Sequence, residues 1–327
     1  MSAPAGDRIR GTVDSPFIRC SARPRNCGER DHSDEQIAER IVYAHMTLRI
    51  GFVGVGDIGG PMAARCIGAG FEVSLWARRA ASLEQFAPDS FRVAASLTDL
   101  GRGSDVVGVA VFSEDDVREV VAGDEGIAAG MAPGGIILIH STVSGRLVQG
   151  LAEECGSRGV TVLDAPVSGL RARAVTGDLT IMVGGPEEAF ETARPMLDAM
   201  ASAVRRHGPV GAGLQVKVLN QSLLYANMAA AGLALEAADR LGLDRAVVAD
   251  TILASSGASV GLQTFAGRVT NDPAFRDHAA RTATKDLDAL GSVLSAAGID
   301  GGALSSMAAE FTEVVARLSP GRSAPVP

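Results

Sequence analysis

The sequence predicts a protein of the α/β class, in which a doubly wound domain with a mostly parallel sheet precedes an all-helical domain. From residue 48 to about residue 208, short apolar runs alternate with longer amphipathic stretches, which is typical of strands alternating with covering helices. After Gly213 this alternation stops and only helical patterns follow. A glycine-rich turn comes directly after the first apolar run, where such sheets bind nucleotides.

The alternating part of the chain divides into strand candidates and longer helix candidates. The strand candidates are short runs bounded by polar or turn-forming residues: Leu48–Val53, Glu72–Trp76, Val106–Phe112, Ile136–Ile139, Val160–Leu163, Thr180–Val183 and Val204–His207. The helix candidates between them include Gly60–Gly68, Glu114–Val121, Gly145–Cys155 and Pro186–Met200.

The second part of the chain opens with one long helix candidate. Residues Val216–Leu241 are apolar with no strand break, about seven turns at 3.6 residues each, and this helix is expected to link two domains. Further helix candidates are Arg245–Ala254, Ala279–Ala297 and Gly302–Leu318. We therefore expect one domain over residues 48–208 and a second over residues 209–318.

The two ends of the chain are predicted to lie outside this fold. Residues 1–45 combine several prolines with scattered charges and lack sustained apolar periodicity, so we predict a disordered or dispensable extension. Met46 begins a segment that reads like a natural protein start. Residues 319–327, with three prolines, are predicted to be a disordered tail.

Composition and charge narrow the class of protein. The net charge of -8 argues against nucleic acid or an anionic membrane as a partner. The sequence has no signal-peptide pattern and no apolar run of about 18 residues, and its cysteines lack metal-ligand spacing, so we expect a reduced, cytoplasmic protein. The five histidines form no ligand-spaced cluster, so no metal site is expected.

The turn after the first strand fits the motif G-x-G-x-x-G. Gly54 permits a tight turn, Gly56 lets the backbone approach a pyrophosphate, and Gly59 lets the next helix pack against the strand. The N-terminus of that helix presents free N–H groups to phosphates. We therefore predict a Rossmann-type dinucleotide site; the alternative is a loop that is only a turn. The predicted cofactor-binding residues here are Gly54, Val55, Gly56, Asp57, Ile58 and Gly59.

The end of the second strand candidate indicates which dinucleotide binds. NAD requires an acid there for its ribose 2′-hydroxyl, but the sequence is Trp-Ala-Arg-Arg, ending in Arg78 and Arg79. Two guanidinium groups suit a 2′-phosphate, so NADP is the predicted cofactor and NAD is less favoured. Alternatively, Arg79 is solvated and Arg78 alone makes a contact.

Lysine is rare in this chain. Among 30 basic residues, Lys217 and Lys285 are the only lysines, a bias that a GC-rich genome explains. Because lysine can release a proton and arginine effectively cannot, each is a candidate for acid–base chemistry. The alternative is a solvated surface lysine.

Four segments, in order, resemble the β-hydroxyacid dehydrogenases, a family that includes 3-hydroxyisobutyrate dehydrogenase and tartronate semialdehyde reductase. The resemblance runs from about residue 48 to residue 318. Gly54–Ala63 looks like the family's cofactor turn, Asp164–Gly169 like its substrate-binding signature, Gly211–Lys217 like its catalytic-lysine segment and Lys285–Leu287 like a motif near the nicotinamide.

The resemblance implies a Rossmann domain that binds NAD or NADP and a helical domain for substrate binding and dimerisation, in a homodimer or homotetramer. It also implies hydride transfer between the cofactor and a small carboxylate substrate, a 3-hydroxy acid or its semialdehyde. Lys217 would be the general acid/base, since burial can lower its pKa toward the working pH. The implied catalytic residues are Lys217 and Ser168, the substrate-binding residues are Thr142, Ser168, Gly169, Asn220 and Gln221, and the further cofactor contacts are Val111, Phe112, Thr142 and Lys285.

The chain departs from the family pattern beside the substrate. Gln221 stands one helical turn after Lys217 where the family commonly has Asn, so Asn220 substitutes partly or the substrate differs in size. Leu170 replaces a glycine and removes a permissive backbone position unless its φ is negative. Arg171 and Arg173 are expected either to form a carboxylate or phosphate clamp or to face solvent, and we favour the solvent-facing interpretation.

The sequence leaves the roles of two histidines undecided and allows two alternative functions for the protein. His140 ends a strand candidate, where a hydrogen-bonded histidine is a better interpretation than a catalytic one, and His278 either tunes the pocket or lies on a helix surface. An imine reductase would share this fold and cofactor turn, but such enzymes typically lack the lysine. A non-catalytic NADP-binding sensor is the other alternative.

Overall fold

The computed structural model describes residues 48–318, so the predictions for residues 1–45 and 319–327 lie outside the described residues. The described strands form one sheet. They are Arg49–Val53 (β1), Glu72–Trp76 (β2), Arg92–Val93 (β3), Val106–Val109 (β4), Ile136–Ile139 (β5), Thr161–Asp164 (β6), Val167–Ser168 (β7), Leu179–Gly184 (β8) and Ala201–Gly208 (β9).

The sheet is mostly parallel, as predicted. Its strand order is β3-β2-β1-β4-β5-β6-β8-β7, and β9 pairs with β8. Only the pairings of β8 with β6 and with β7 are antiparallel. Because the chain builds outward from β1 to β3 and then returns to the other side with β4, the order reverses between β1 and β4. A doubly wound sheet binds its ligand in the crevice at the carboxyl ends of such strands.

Both faces of the sheet are covered, which confirms the doubly wound class. Alternate residues of a strand point to opposite faces, so Ile136 and Leu138 join one core and Ile137 and Ile139 join the other. The helices of this part are Gly59–Gly68 (α1), Leu97–Arg102 (α2), Glu114–Ala122 (α3), Ile127–Gly130 (α4), Gly145–Gly156 (α5), Leu170–Thr176 (α6) and Glu187–Met200 (α7).

From residue 212 onward the described elements are helical, also as predicted. The long helix α8 packs against the sheet as well as against the other helices, and a third core centres on its middle, with Tyr225, Phe265 and Phe311. The helices are Ala212–Arg240 (α8), Arg245–Leu253 (α9), Val260–Thr264 (α10), Pro273–Ala296 (α11) and Gly302–Leu318 (α12), with a π-helical turn at Phe265–Val269.

Several predicted bounds were wrong. The strand predicted over Val106–Phe112 ends at Val109, and Phe112 is exposed. The helix predicted from Ala279 begins at Pro273, where the Asp272 carboxylate caps the Phe275 N–H at 3.0 Å. The helix predicted from Val216 begins at Ala212. The short elements β3, β7, α2, α4 and α6 were missed.

No helix among residues 48–318 is long and apolar enough to cross a membrane.

Candidate active site

The glycine-rich turn joins β1 to α1 at the carboxyl edge of the sheet. Gly54 has φ +85°, and a Cβ there would collide with the Ala110 carbonyl. A Cβ at Gly59 would collide with the Gly54 carbonyl and lie 2.9 Å from the Ala110 Cβ. By contrast, a Cβ at Gly56 would meet no atom within 4 Å. The turn therefore has two glycines that the fold requires and one that faces open space, as a pyrophosphate cradle needs.

A cavity of about 430 Å³ opens beside this turn. It lies between the ends of β1, β2 and β4, which is the switch point of the sheet. Of the predicted cofactor residues, Gly54, Val55, Gly56, Arg78, Arg79, Val111 and Phe112 line it, whereas Asp57, Ile58, Gly59, Thr142 and Lys285 do not. The cavity also includes Val53, Trp76, Ala77, Ser82, Ala110, Asp116 and Val120.

The two arginines at the end of β2 differ in their partners. The Arg78 Nη2 donates to Asp116 Oδ1 at 2.9 Å and lies 3.7 Å from Glu119 Oε2, both on α3. Hydrogen bonds from Ser113 and Arg78 hold the pKa of the Asp116 carboxyl below its usual range. Within residues 48–318, the exposed Arg79 guanidinium has no ion-pair partner. Arg79 is thus the freer of the two for an anionic ligand.

The predicted substrate loop has an unusual backbone. Ser168 is half-buried and pairs with Thr180 across β7 and β8, and the loop then turns through Gly169, with φ +138°. Leu170 follows with φ +57°. Because this φ is positive, the backbone of Leu170 is in a conformation that is strained for residues other than glycine. The Leu170 side chain is 56% exposed, and packing therefore does little to offset this conformation.

Arg171 bridges this loop to the cofactor turn. Arg171 is exposed, as in the interpretation we favoured, and its Nη1 also donates to the Asp57 carbonyl at 3.2 Å and to Asp57 Oδ1 at 3.4 Å. Both side chains are more than half exposed, so the pair contributes at most about 1 kcal/mol. Arg173 is exposed.

Asp164 connects the predicted substrate segment to the helix that carries Lys217. It is fully buried at the end of β6, where Oδ1 accepts the Gly211 N–H at 2.6 Å and Oδ2 accepts the Leu214 N–H at 2.8 Å. Burial raises the pKa of the Asp164 carboxyl, and backbone N–H groups, including that of Gly213, oppose this. A carboxylate at a helix N-terminus is also favoured by the helix dipole. The start of α8 is thus fixed against β6.

Lys217 lies in the second turn of α8 and is only 8% exposed. Its Nζ donates to Gln221 Oε1 at 3.0 Å, and Gln221 Nε2 donates in turn to Asp286 Oδ2 on α11 at 3.1 Å. Burial lowers the pKa of Lys217 to about 8, and the Asp286 charge opposes this. An amine with this pKa can exchange a proton near neutral pH.

The remaining candidate residues from the sequence are two histidines, Thr142 and Lys285. His140 is buried, with Nδ1 2.8 Å from the Ala165 carbonyl and its ring stacked on Phe52, so its burial and hydrogen bonding match the favoured interpretation. Thr142 is half-buried after β5, and His278 is exposed on α11. The Lys285 ammonium lies 5.5 Å from the centroid of the exposed Phe112 ring, a cation–π distance.

Sequence reasoning missed the partners of these groups. Asp164 and Asp286 lie in segments that resemble the family but received no role, although an acid that ends an apolar strand, as Asp164 does, is a usable signal. Asp116 and Tyr225 carry no signal in the sequence, because only folding brings them to Arg78 and to Asp286.

Comparisons with known proteins agree with this geometry. Residues 49–208 match the family model described as the NAD binding domain of 6-phosphogluconate dehydrogenase. Residues 211–323 match the model described as NAD-binding of NADP-dependent 3-hydroxyisobutyrate dehydrogenase. The NAD-dependent L-serine dehydrogenase of Pseudomonas aeruginosa is 34% identical over 246 residues, which cover 73% of this chain and 83% of that protein.

Solved structures give the same fold. The structure of Mycobacterium tuberculosis 3-hydroxyisobutyrate dehydrogenase with L-serine has a TM-score of 0.71 and 28% identity, covering 84% of this chain and 99% of that one. A Streptomyces aurantiacus imine reductase, with a TM-score of 0.58, 19% identity and coverage of 83% and 99%, shares the fold alone.

Fold, turn and matched domains together define an NAD(P)-dependent oxidoreductase that acts on the CH–OH group of a hydroxy acid. The chain belongs to the β-hydroxyacid dehydrogenase family.

Proposed function

We propose that this protein interconverts a small 3-hydroxy acid and its semialdehyde with NADP, and that Lys217 is the general acid/base. The observation that carries the proposal is the buried Lys217 ammonium, whose pKa is lowered by burial to about 8. When bound, the dinucleotide supplies or accepts the hydride. In reduction, Lys217 stabilises the negative charge that develops on the carbonyl oxygen and donates a proton to it.

The choice of NADP rests on Arg79 and Arg78. Arg79 lines the cavity and has no ion-pair partner among residues 48–318, so its guanidinium is free to bind a 2′-phosphate. Arg78 lines the same cavity with part of its guanidinium committed to Asp116. The open approach at Gly56 suits the pyrophosphate that NAD and NADP share.

The proposed substrate is a small 3-hydroxy carboxylic acid. The related P. aeruginosa enzyme is named an L-serine dehydrogenase, and the related M. tuberculosis structure contains L-serine, which is itself a 3-hydroxy acid. Ser168, Gly169, Thr142 and Asn220 remain the proposed substrate contacts. Gln221 hydrogen-bonds to Lys217 and Asp286, and these contacts suit a role in holding the lysine.

A homodimer or homotetramer is proposed from the surface of α8. Leu219, Leu223 and Leu233 are 44%, 57% and 43% exposed, and Leu241 after its end is 74% exposed. At 100° per residue these four positions fall on one face of the helix, as an apolar contact between subunits requires. Light scattering should give the mass of an oligomer, and Leu223→Asp should lower that mass.

The cytoplasmic location stays a prediction from composition.

Lys217→Ala tests the catalytic proposal. With NADPH and a panel of small semialdehydes, the variant should bind NADPH as tightly as the wild type and lose turnover by about a hundredfold or more, as general acid catalysis requires. Turnover of imines but not semialdehydes would favour an imine reductase. Tight NADPH binding without turnover in the wild-type protein would favour a sensor. Wild-type kcat in Lys217→Ala would exclude the proposed role.

Arg79→Ala tests the cofactor proposal. It should raise KM for NADPH about tenfold or more, as for a lost charge-assisted bond, and leave KM for NADH unchanged. Arg102→Ala is the control, because Arg102 is exposed on α2 outside the cavity. A wild-type protein that prefers NADH would contradict the choice of NADP.

A further inference from the structure

The Gln221 amide is the centre of a partly buried hydrogen-bond network that joins Lys217 on α8 to Asp286 on α11. Its Oε1 accepts from Lys217 and, at 3.1 Å, from Asn220 Nδ2. Its Nε2 donates to Asp286 and, at 3.4 Å, to the Tyr225 hydroxyl. A primary amide has two N–H donors and two acceptor lone pairs, and both acceptor positions of Gln221 are used here.

The orientation of the amide follows from the chemistry of its neighbours. An ammonium group only donates hydrogen bonds and a carboxylate only accepts them. Exchanging the oxygen and nitrogen of Gln221 would turn its N–H group toward Lys217 and its oxygen toward Asp286, and both hydrogen bonds would be lost. Asp286 therefore determines that the amide oxygen faces Lys217.

Tyr225 closes the network on the far side of Gln221. Its hydroxyl donates to Asp286 Oδ2 at 2.9 Å and accepts from Gln221, and its ring stacks on Phe311 with centroids 5.4 Å apart. Burial and the neighbouring Asp286 charge raise the pKa of Tyr225, so the phenol keeps the proton that it donates. Tyr225 and Asp286 are 3% and 4% exposed, so water competes little for these bonds.

We propose that Asp286 and Tyr225 are positioning residues for Lys217: they lock the Gln221 amide with its oxygen toward the ammonium group. One Lys217 N–H is then held by Gln221, and the other two stay free for the reacting oxygen. The inference rests on the catalytic role proposed for Lys217. It assigns to Gln221 the orientation of the acid.

The charges around Lys217 make Asp286 the group to change. On β6, Asp164 is bound to the N–H groups at the start of α8. On α11, the Lys285 ammonium lies over the Phe112 ring. Of the charged groups on the elements packed against α8, Asp286 is the one whose charge acts on Lys217, and it raises the pKa that burial lowers. Removing that charge should therefore lower the pKa of Lys217 further.

The two lysines of this chain allow a direct measurement. In protein labelled with ¹³C-lysine, NMR gives one ε-CH₂ resonance each for Lys217 and Lys285, and Lys285→Arg assigns them. A pH titration in Asp286→Asn should show the Lys217 pKa lower by about one unit, as for loss of an opposite charge that raises it. Asp288→Asn, an exposed acid on the same helix, is the matched control and should move neither resonance.

Tyr225→Phe tests positioning without a change of charge. The Lys217 pKa should shift less than in Asp286→Asn, and kcat should fall about fivefold, the equivalent of one neutral hydrogen bond, with little change in KM. An unchanged Lys217 titration in Asp286→Asn overturns the inference. Should that variant not fold, an unchanged kcat in Tyr225→Phe overturns it instead.

The NMR readout separates this inference from the proposed function. Wild-type turnover in Lys217→Ala would remove the catalytic role and with it the basis of the inference. Loss of turnover in Lys217→Ala, combined with an unshifted Lys217 resonance in Asp286→Asn, would leave the proposed function standing and overturn only the positioning role.

Discussion

Replacing Asp164 with Asn tests whether one buried carboxylate holds the start of α8 in place. Asn keeps one acceptor oxygen for the Gly211 or Leu214 N–H and turns an NH₂ group toward the other. A hydrogen bond to a charged group contributes about 1.5–3 kcal/mol, and an unsatisfied buried N–H costs about 1–3 kcal/mol. We expect the free energy of unfolding to fall by about 3 kcal/mol, a large part of the roughly 5–15 kcal/mol that a domain has.

Urea denaturation followed by circular dichroism measures this loss. Asp178→Asn is the matched control: Asp178 is exposed before β8, so its substitution should change the free energy of unfolding by less than about 0.5 kcal/mol. Because α8 carries Lys217, kcat should also fall in Asp164→Asn and stay unchanged in the control. A wild-type urea midpoint in Asp164→Asn would refute the idea that this carboxylate anchors the helix.

Three further predictions concern the fold around the site. Burial lowers the pKa of His140 to about 4, against about 6.5 when unfolded, so the unfolded state binds the extra proton and stability falls by about 3 kcal/mol as pH drops from 6.5 to 4. If the stability of His140→Phe falls as steeply over the same pH range, this prediction is wrong. Leu170→Gly should raise the free energy of unfolding by about 0.5 kcal/mol, because relief of the left-handed conformation exceeds the entropy cost of glycine. Leu243 is exposed and has no positive φ, so the control Leu243→Gly should lower the free energy of unfolding. If urea denaturation gives the same change for both variants, Leu170 is not strained. Gly56→Ala should fold normally but bind NADPH about tenfold more weakly, while Gly54→Ala should lose stability; unchanged NADPH affinity in Gly56→Ala would argue against the cradle.

The elements that sequence predicted well are those in which one local signal is sufficient. The predicted bounds of β2 and β5 match because each is a short, mostly apolar run that glycine closely precedes and polar residues soon follow. Helix α12 matches because Gly302 and the residues after Leu318 bracket a long apolar repeat. The two-residue strands β3 and β7 are too short to show a period, and only pairing with a neighbour makes them strands.

The dinucleotide site could be predicted because backbone geometry restricts which residues fit. Gly54 and Gly59 cannot carry a Cβ without colliding with the Ala110 residue or the turn itself, so the motif appears directly in the sequence. Gly213 is restricted in the same way, because a Cβ there would lie 2.9 Å from Asp164 Oδ2. Such positions tolerate only glycine. The order of these glycines along the chain therefore indicates a dinucleotide site without a structure.

Groups that tune the chemistry could not be predicted in this way, because their effect depends on partners distant in sequence. Arg78 and Arg79 are equivalent in the sequence, yet Asp116 and Glu119 on α3 bind Arg78 and leave Arg79 unpaired among residues 48–318. Sequence therefore identifies which charges exist and does not tell which are already neutralised. For this chain, the selectivity between NADPH and NADH should depend more on Arg79 than on the arginine that comes first at the strand end.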